Sequence, residues 1–207
     1  MTTALLNVTD LMCSRGGLTV FEGVHLTVRP GQLVVLRGPN GSGKTTLLRT
    51  LAGLQEPDRG QVDCEPESIA YASHADGLKA TLTVEENLQF WAELFGARSI
   101  EHAVQSLDLK ELLPRQARAL SAGQKRRVGL ARILVTERPI WAMDEPTVSL
   151  DEASVVLFAT VLEKHLASGG GAVIATHADF GQQGETIDIS KYRPSRSTTG
   201  AFDEAIG

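Results

Sequence analysis

Three features of the sequence predict an α/β fold. Short, uninterrupted apolar runs recur at 33–36, 140–143 and 172–176, which suits parallel strands buried on both faces. Helical periodicity alternates with strand patterns at both ends of the chain. Between about residues 75 and 122 the periodicity is helical only, which reads as a helical insertion into an α/β core. The length of 207 residues, with 42% hydrophobic and 22% charged side chains, is that of one globular domain. Disorder, collagen and coiled coil are excluded as descriptions of the whole chain.

The elements follow in order. Residues 4–11 and 24–28 read as strands, the second from the alternation of Val24, Leu26 and Val28. Arg29-Pro30-Gly31 is a turn, and 33–36 is the first buried strand. A glycine-rich turn follows, and then a helix over 44–54. Val62 and 69–72 mark two further strands. Residues 83–95 read as a helix, with Thr83 at the N-cap and Glu86 three residues on, the spacing of a capping box. Val84, Leu88, Trp91 and Phe95 form its apolar face. A helix over 104–113 is expected to stop at Pro114, and another spans 123–135. Strand 140–143, helix 152–167, a Gly169-Gly170-Gly171 loop and strand 172–176 complete the core. The last twenty or so residues are polar and carry Pro194, Ser195, Ser197 and Gly200; they read as a surface tail. No internal repeat is visible.

The formal charge is −5, and a duplex-binding protein usually shows a basic excess, so no nucleic-acid partner is expected. The charge is uneven. Residues 110–138 carry eight basic and two acidic side chains, and the rest of the chain is correspondingly acidic. That stretch reads as a solvated helix face; a surface meeting phosphate or a partner is the sharper alternative. Cys13 and Cys64 show no metal-type spacing and read as free buried thiols in a reducing compartment. No basic segment followed by an apolar run opens the chain, and no run of about 18 apolar residues occurs, so neither a signal peptide nor a membrane span is expected.

The chemistry lies in the turns. Gly38-Pro39-Asn40-Gly41-Ser42-Gly43-Lys44-Thr45, followed by Thr46, fits the phosphate-cradling pattern G-x-x-x-x-G-K-[ST], between a predicted strand and a predicted helix. Glycines let backbone N–H groups turn inward around phosphate oxygens, and the helix N-terminus adds partial positive charge. Lys44 can reach the β- and γ-phosphates, and the Thr45 hydroxyl can ligate Mg²⁺. Ile140-Trp141-Ala142-Met143 leads into Asp144-Glu145-Pro146. Asp144 at the strand end can hold Mg²⁺ through water, and Glu145, further out, can polarise an attacking water. An apolar run ending in two carboxylates is weak on its own; beside a P-loop it points to an ATPase. ATP and Mg²⁺ are therefore the expected ligands.

Leu120-Ser121-Ala122-Gly123-Gln124 lies between these motifs, with Ser121 77 residues after Lys44 and Asp144 23 residues after Ser121. It resembles the signature of ABC (ATP-binding cassette) ATPases, and Lys125-Arg126-Arg127-Val128-Gly129-Leu130-Ala131-Arg132 continues the likeness. Ser149-Leu150-Asp151 looks like the D-loop. His177, 32 residues after Glu145, looks like the switch histidine. The resemblance implies a P-loop NTPase of ABC nucleotide-binding type, with an antiparallel β subdomain and an inserted helical subdomain. It covers about residues 5–189, and the expected division is a cassette over 1–190 and a polar tail over 191–207. It further implies a dimer of two copies sandwiching two nucleotides, in which Ser121 and Gly123 face the partner's ATP, while His177 contacts the γ-phosphate. By the same physics as the P-loop, a Ser hydroxyl and a Gly N–H at a helix N-terminus form a second anion site; the alternative is that Ser121 and Gly123 simply cap the following helix.

Two positions depart from the common family pattern. The segment from Met12 to Leu18 holds no aromatic residue to stack on adenine; Arg15 could stack its guanidinium there instead, or be an exposed turn arginine. Where a glutamine usually ends the strand before the helical lobe, Tyr71-Ala72-Ser73-His74 places His74, which could serve Mg²⁺ or water, or be a loop histidine. The run Ser73-His74-Ala75-Asp76-Gly77-Leu78-Lys79, together with Cys13-Ser14-Arg15-Gly16, Trp141 and Thr176-His177-Ala178-Asp179, resembles the ATP-binding subunits of haem exporters in cytochrome c maturation. That likeness implies a peripheral ATPase on the cytoplasmic face of a bacterial inner membrane, paired with integral-membrane permease subunits. Phe90, Trp91 and Phe95 are candidates to meet the permease, or core. The alternatives are the ATPase of another ABC transporter for lipid, drug or nutrient, or a soluble ABC ATPase outside transport.

Overall fold

The computed structural model describes residues 3–181 and 183–194. Among the described residues, eight strands form two sheets. Strands β1 (Leu6–Arg15), β2 (Leu18–Val28) and β4 (Arg59–Cys64) make an antiparallel sheet in the order β2-β1-β4. Strands β3 (Leu33–Arg37), β5 (Ile69–Ala72), β6 (Ile140–Asp144), β7 (Gly171–Ala175) and β8 (Glu185–Asp188) make a parallel sheet in the order β5-β6-β7-β3-β8. The helices are α1 (Lys44–Leu51), α2 (Val84–Phe95), α3 (Glu101–Ser106), α4 (Ala122–Val135) and α5 (Glu152–Ala167). Helices α2 and α3 and two short 3₁₀ turns lie between β5 and α4.

The parallel sheet is buried on both faces, which is why its strands read as continuous apolar runs. Val34, Leu36, Ile140, Ala142, Val173 and Ala175 pack with α1 and the antiparallel sheet. The alternate residues Leu33, Val35, Trp141, Met143, Ala172 and Ile174 pack with the helices of the other side. A period of two therefore sorts one apolar run into two cores.

Several boundaries differ from the sequence reading. β1 and β2 run on to Arg15 and from Leu18, so the hairpin is longer than expected. Irregular register within it interrupts the alternation that marks a strand. The helix expected over 104–113 is instead α3, ending at Ser106, with a separate 3₁₀ turn at Lys110–Leu112. Residues 185–188, to which the sequence reading gives no element, form β8, which pairs with β3, and a 3₁₀ turn at Ile189–Tyr192 follows, with Ile189 fully buried. The boundary expected at 190/191 thus falls inside that turn. Of the expected tail, 195–207 lie outside the described residues. Cys13 is buried, within 3.3 Å of the Thr50 hydroxyl, whereas Cys64 is only half-buried.

Candidate functional site

β3, β7 and β6 are neighbours, so the turns after their carboxyl ends meet. A crevice at that edge is where parallel α/β sheets bind ligands. β3 delivers residues 38–43 into α1. Gly43 has φ 103°, and a Cβ there would lie 2.6 Å from Val20 Cγ1. Glycine therefore lets the hairpin β1–β2 close directly onto the phosphate turn. No side chain caps α1, so its first N–H groups are left to a ligand. Ser42 is buried with an unpartnered Oγ, a further polar atom available inside the cradle.

Lys44 Nζ donates to the carbonyls of Gly38 at 2.7 Å and Pro39 at 3.2 Å, and lies 3.4 Å from His177 Nε2. Thr45 Oγ1 donates to Asp144 Oδ2 at 2.6 Å. His74 Nε2 approaches that same oxygen at 3.3 Å. The His177 backbone N–H donates to Glu145 Oε2 at 3.3 Å, and the His177 ring lies 3.8 Å from Oε1. Lys44, Thr45, His74, Asp144 and Glu145 line a cavity of about 310 Å³ with Arg15, Val20, residues 40–43 and Thr46, and His177 reaches its edge through Lys44 and Glu145. The structure thus brings together Lys44, Thr45, Asp144, Glu145, His177, His74 and Arg15. A larger cavity of about 580 Å³ opens beside Arg138, Trp141 and His165, away from the phosphate turn and the carboxylates that end β6.

The end of β6 is held under strain. Glu145 has φ 49°, a left-handed conformation costly for a side chain with a Cβ. Its N–H bonds to the Ala175 carbonyl at 2.8 Å, which keeps β7 and the turn in register. Arg126 holds the other side. Only 5% exposed, it donates to the carbonyls of Ser73, Asp144, Glu145 and Pro146 at 2.7 to 3.0 Å, and pairs with Asp76 at 3.3 Å. The basic stretch read as a solvated face is solvated at Lys110, Arg115 and Arg118, but not here. Its one sequence signal is position, two residues beyond the signature.

Ser121 and Gly123 do not line the cavity with Lys44. Ser121 is the N-cap of α4: its Oγ accepts from Gln124 N–H, and the Gln124 side chain accepts from Ser121 N–H. A Cβ on Gly123 would lie 2.7 Å from the Ser149 carbonyl, so the signature lies tightly against the turn before α5. Ser149 has φ 68°, and Asp151 caps α5 through Ser154 N–H at 2.8 Å. The Asp151 carboxyl is held below its usual proton affinity by its hydrogen bonds from Ser154. On β5, the Tyr71 phenol is buried without a partner, and burial, then the Asp144 charge, push its pKa up.

The candidate permease contacts divide. Phe90 is 42% exposed, whereas Trp91 and Phe95 pack partly into the helical side, with Arg132 over Trp91 at 4.7 Å and Arg138 over Phe95 at 4.7 Å. Among the described residues no helix is long and apolar enough to cross a membrane.

Comparison with known proteins agrees with this architecture. Residues 21–148 match the ABC transporter family. The chain is 55% identical to the cytochrome c biogenesis ATP-binding export protein CcmA of Paracoccus denitrificans, over 98% of this chain and 99% of that one. It is 57% identical to CcmA of Rhodobacter capsulatus, over 98% and 97%. A solved ABC transporter ATP-binding protein from Pyrococcus furiosus superposes with a TM-score of 0.81 at 26% identity, covering 91% of this chain and 99% of that one. The chain belongs to the ABC transporter family and, within it, to the cytochrome c biogenesis ATP-binding export proteins.

Proposed function

We propose that this chain is the ATP-hydrolysing subunit of an export complex that serves cytochrome c biogenesis, with haem as cargo. The observation that carries the ATPase reading is the meeting of Lys44, Thr45, Asp144, Glu145 and His177 at one crevice. The export assignment is supported by the CcmA relatives. ATP lies with its phosphates in the turn 38–43, against the uncapped start of α1. Lys44 then exchanges its carbonyl contacts for phosphate oxygens. Glu145 orients a water and accepts its proton as the water oxygen bonds to the γ-phosphorus. The bond to the β–γ bridging oxygen breaks, and ADP and phosphate leave. His177, beside both Glu145 and Lys44, positions that water and the γ-phosphate. Arg15 and Val20 flank the place of the base.

The donor set fits a divalent cation: a hydroxyl, a carboxylate and an imidazole converge, from Thr45, Asp144 and His74. When bound with the nucleotide, Mg²⁺ would neutralise charge developing on the phosphates. The cassette spans about residues 1–190. Ser121 and Gly123 complete the nucleotide site of a second copy, and the permease meets the helical segment near Phe90. The subunit then sits at the cytoplasmic face of the inner membrane.

A haem-stained gel of c-type cytochromes tests the reading, using a deletion strain complemented with wild type or Lys44→Ala. Restoration by wild type alone is the expected result. Unchanged holocytochromes in the deletion strain would return the cargo to another transporter substrate.

A further inference from the structure

The strands that deliver the crevice residues have a second end. At the amino ends of β6 and β7 lies the cavity of about 580 Å³, a volume within the range of about 300 to 1,000 Å³ that small-molecule sites occupy. Ser106 and Leu134, from α3 and α4, form part of its wall, and Val161 and Trp141, from α5 and β6, form another part. Trp141 precedes Asp144 by three residues, so about 10 Å of strand separates this cavity from the crevice. The aromatic lining is fixed in place. Trp141 is only 5% exposed, and the His165 ring stacks on it with centroids 3.7 Å apart and planes 8° from parallel. His165 Nε2–H donates to the Gly171 carbonyl at 3.2 Å. A Cβ on Gly170 would collide with the imidazole, so glycine is what lets the ring lie there. Burial pushes the His165 pKa down, which keeps the ring neutral at neutral pH. A flat ring laid against this pair gains aromatic contact as well as apolar burial.

Around this lining, some polar groups are committed and two are not. Arg138 pairs with Glu67 at 3.3 Å and lies over Phe95 at 4.7 Å. His102 is held to Ser106, with Nε2 3.4 Å from the hydroxyl oxygen. Lys164 and Glu137 line the cavity and are exposed, and among the described residues the side chain of neither forms an ion pair or hydrogen bond. Glu137 holds a left-handed φ of 53° just after the α4 cap, where glycine is usual, so its side chain is kept at a backbone cost. One unpaired cation and one unpaired anion thus border an aromatic surface. A ligand of a single charge would match one of them and leave the other.

We propose that this cavity is a second ligand site, for a small flat zwitterion of the class of the aromatic amino acids. The ring lies against Trp141 and His165, the carboxylate meets Lys164, and the ammonium meets Glu137. The site is separate from the crevice and does not depend on how the crevice is read. Its walls belong both to the helical segment and to the sheet, so a bound ligand fastens one to the other.

The chain holds two tryptophans, Trp91 and Trp141, which makes the site visible by nuclear magnetic resonance. In the full-length chain labelled with ¹⁵N-tryptophan, the indole N–H signal that Trp91→Phe removes is that of Trp91, and the other belongs to Trp141. Unlabelled L-tryptophan is titrated in, and in parallel indole-3-propionate, which lacks the ammonium, and tryptamine, which lacks the carboxylate. The Trp141 signal is expected to shift saturably with L-tryptophan while the Trp91 signal stays in place. Both single-charge analogues bind severalfold more weakly. Lys164→Gln weakens L-tryptophan and indole-3-propionate severalfold and leaves tryptamine unchanged; Glu137→Gln weakens L-tryptophan and tryptamine and leaves indole-3-propionate unchanged. Both substituted side chains are exposed, and an unmoved Trp91 signal reports that each variant is folded. The proposal is overturned if Trp141 shows no saturable shift or if both tryptophans shift alike. An L-tryptophan affinity unchanged in either variant also overturns it, as does an analogue that binds as tightly as the zwitterion.

Discussion

The starts of α1 and α4 obey the same electrostatics and are finished differently. At α1 no side chain caps the helix, and the preceding glycine turn opens into a cavity lined by Lys44, Thr45, Asp144 and Glu145. At α4 the N-terminus is closed on itself by the reciprocal Ser121–Gln124 capping box, and Ser121 is exposed. An absent cap costs about 1 kcal/mol of helix stability. The chain accepts that cost at the end that opens into its own crevice. At the other end it keeps the cap, and the Ser121 hydroxyl proton is still free to be donated outward. One helix start is thus built as a socket within the molecule, the other as a finished outer surface.

Substitutions separate these two ends, and the largest effect belongs to the socket. Lys44→Ala removes the lysine that, among the described residues, faces the phosphate turn; turnover measured by phosphate release is expected to fall about 10³-fold. Unchanged turnover would mean that the socket does not bind phosphate. Glu145→Gln keeps ATP binding while slowing hydrolysis about 10²- to 10⁴-fold. With ATP and a divalent ion it is expected to accumulate as a dimer in light scattering, because the outer surface at Ser121 then has a trapped nucleotide to meet. A monomer under saturating ATP, with the permease present, would break that link between the two ends.

Ser121→Ala acts on the other end alone. ATP affinity of the isolated chain stays at the wild-type value in calorimetry, while turnover of the assembled complex falls. Loss of the cap costs about 1 kcal/mol and lowers the melting temperature by about 2 to 4 °C. A matching loss of monomer affinity would erase the contrast. The smallest effect concerns α5, whose cap is charged. The Asp151 carboxyl has a pKa lowered on folding, so its contribution to stability is present above the unfolded value near 3.9 and is lost as pH falls through the lower folded value. Melting curves from pH 5 down to pH 2.5 should fall less steeply for Asp151→Asn than for wild type.

Both ends were readable from sequence because each needs particular residue types at fixed spacing. Glycines, lysine and threonine must follow one another at a phosphate turn, and a serine or aspartate must precede a helix. The long buried strands were readable because burial on two faces forbids polar residues. β8 was not readable: it pairs through its backbone with β3 alone, so Glu185 and Thr186 can be exposed and the four residues carry no strand pattern. Arg126 was hidden for the opposite reason. An arginine in a basic run is normally solvated, and only the fold reveals four backbone carbonyls aimed at it. The convergence of His74 on Asp144 likewise requires β5 and β6 to be neighbours, a fact of topology that no local pattern contains.

Arg126 has a mechanical consequence. Its guanidinium is anchored on α4 and grips the backbone before His74 and the backbone around Glu145 at the same time. A rotation of the helical segment against the sheet therefore cannot be absorbed as slack; it must shift the carboxylate, the imidazole or both. The tilt of that segment and the placement of the crevice carboxylate and imidazole are thereby coupled through one side chain. A displacement of α4 is thus passed directly to the backbone of Asp144 and Glu145, through hydrogen bonds of 2.9 and 2.7 Å.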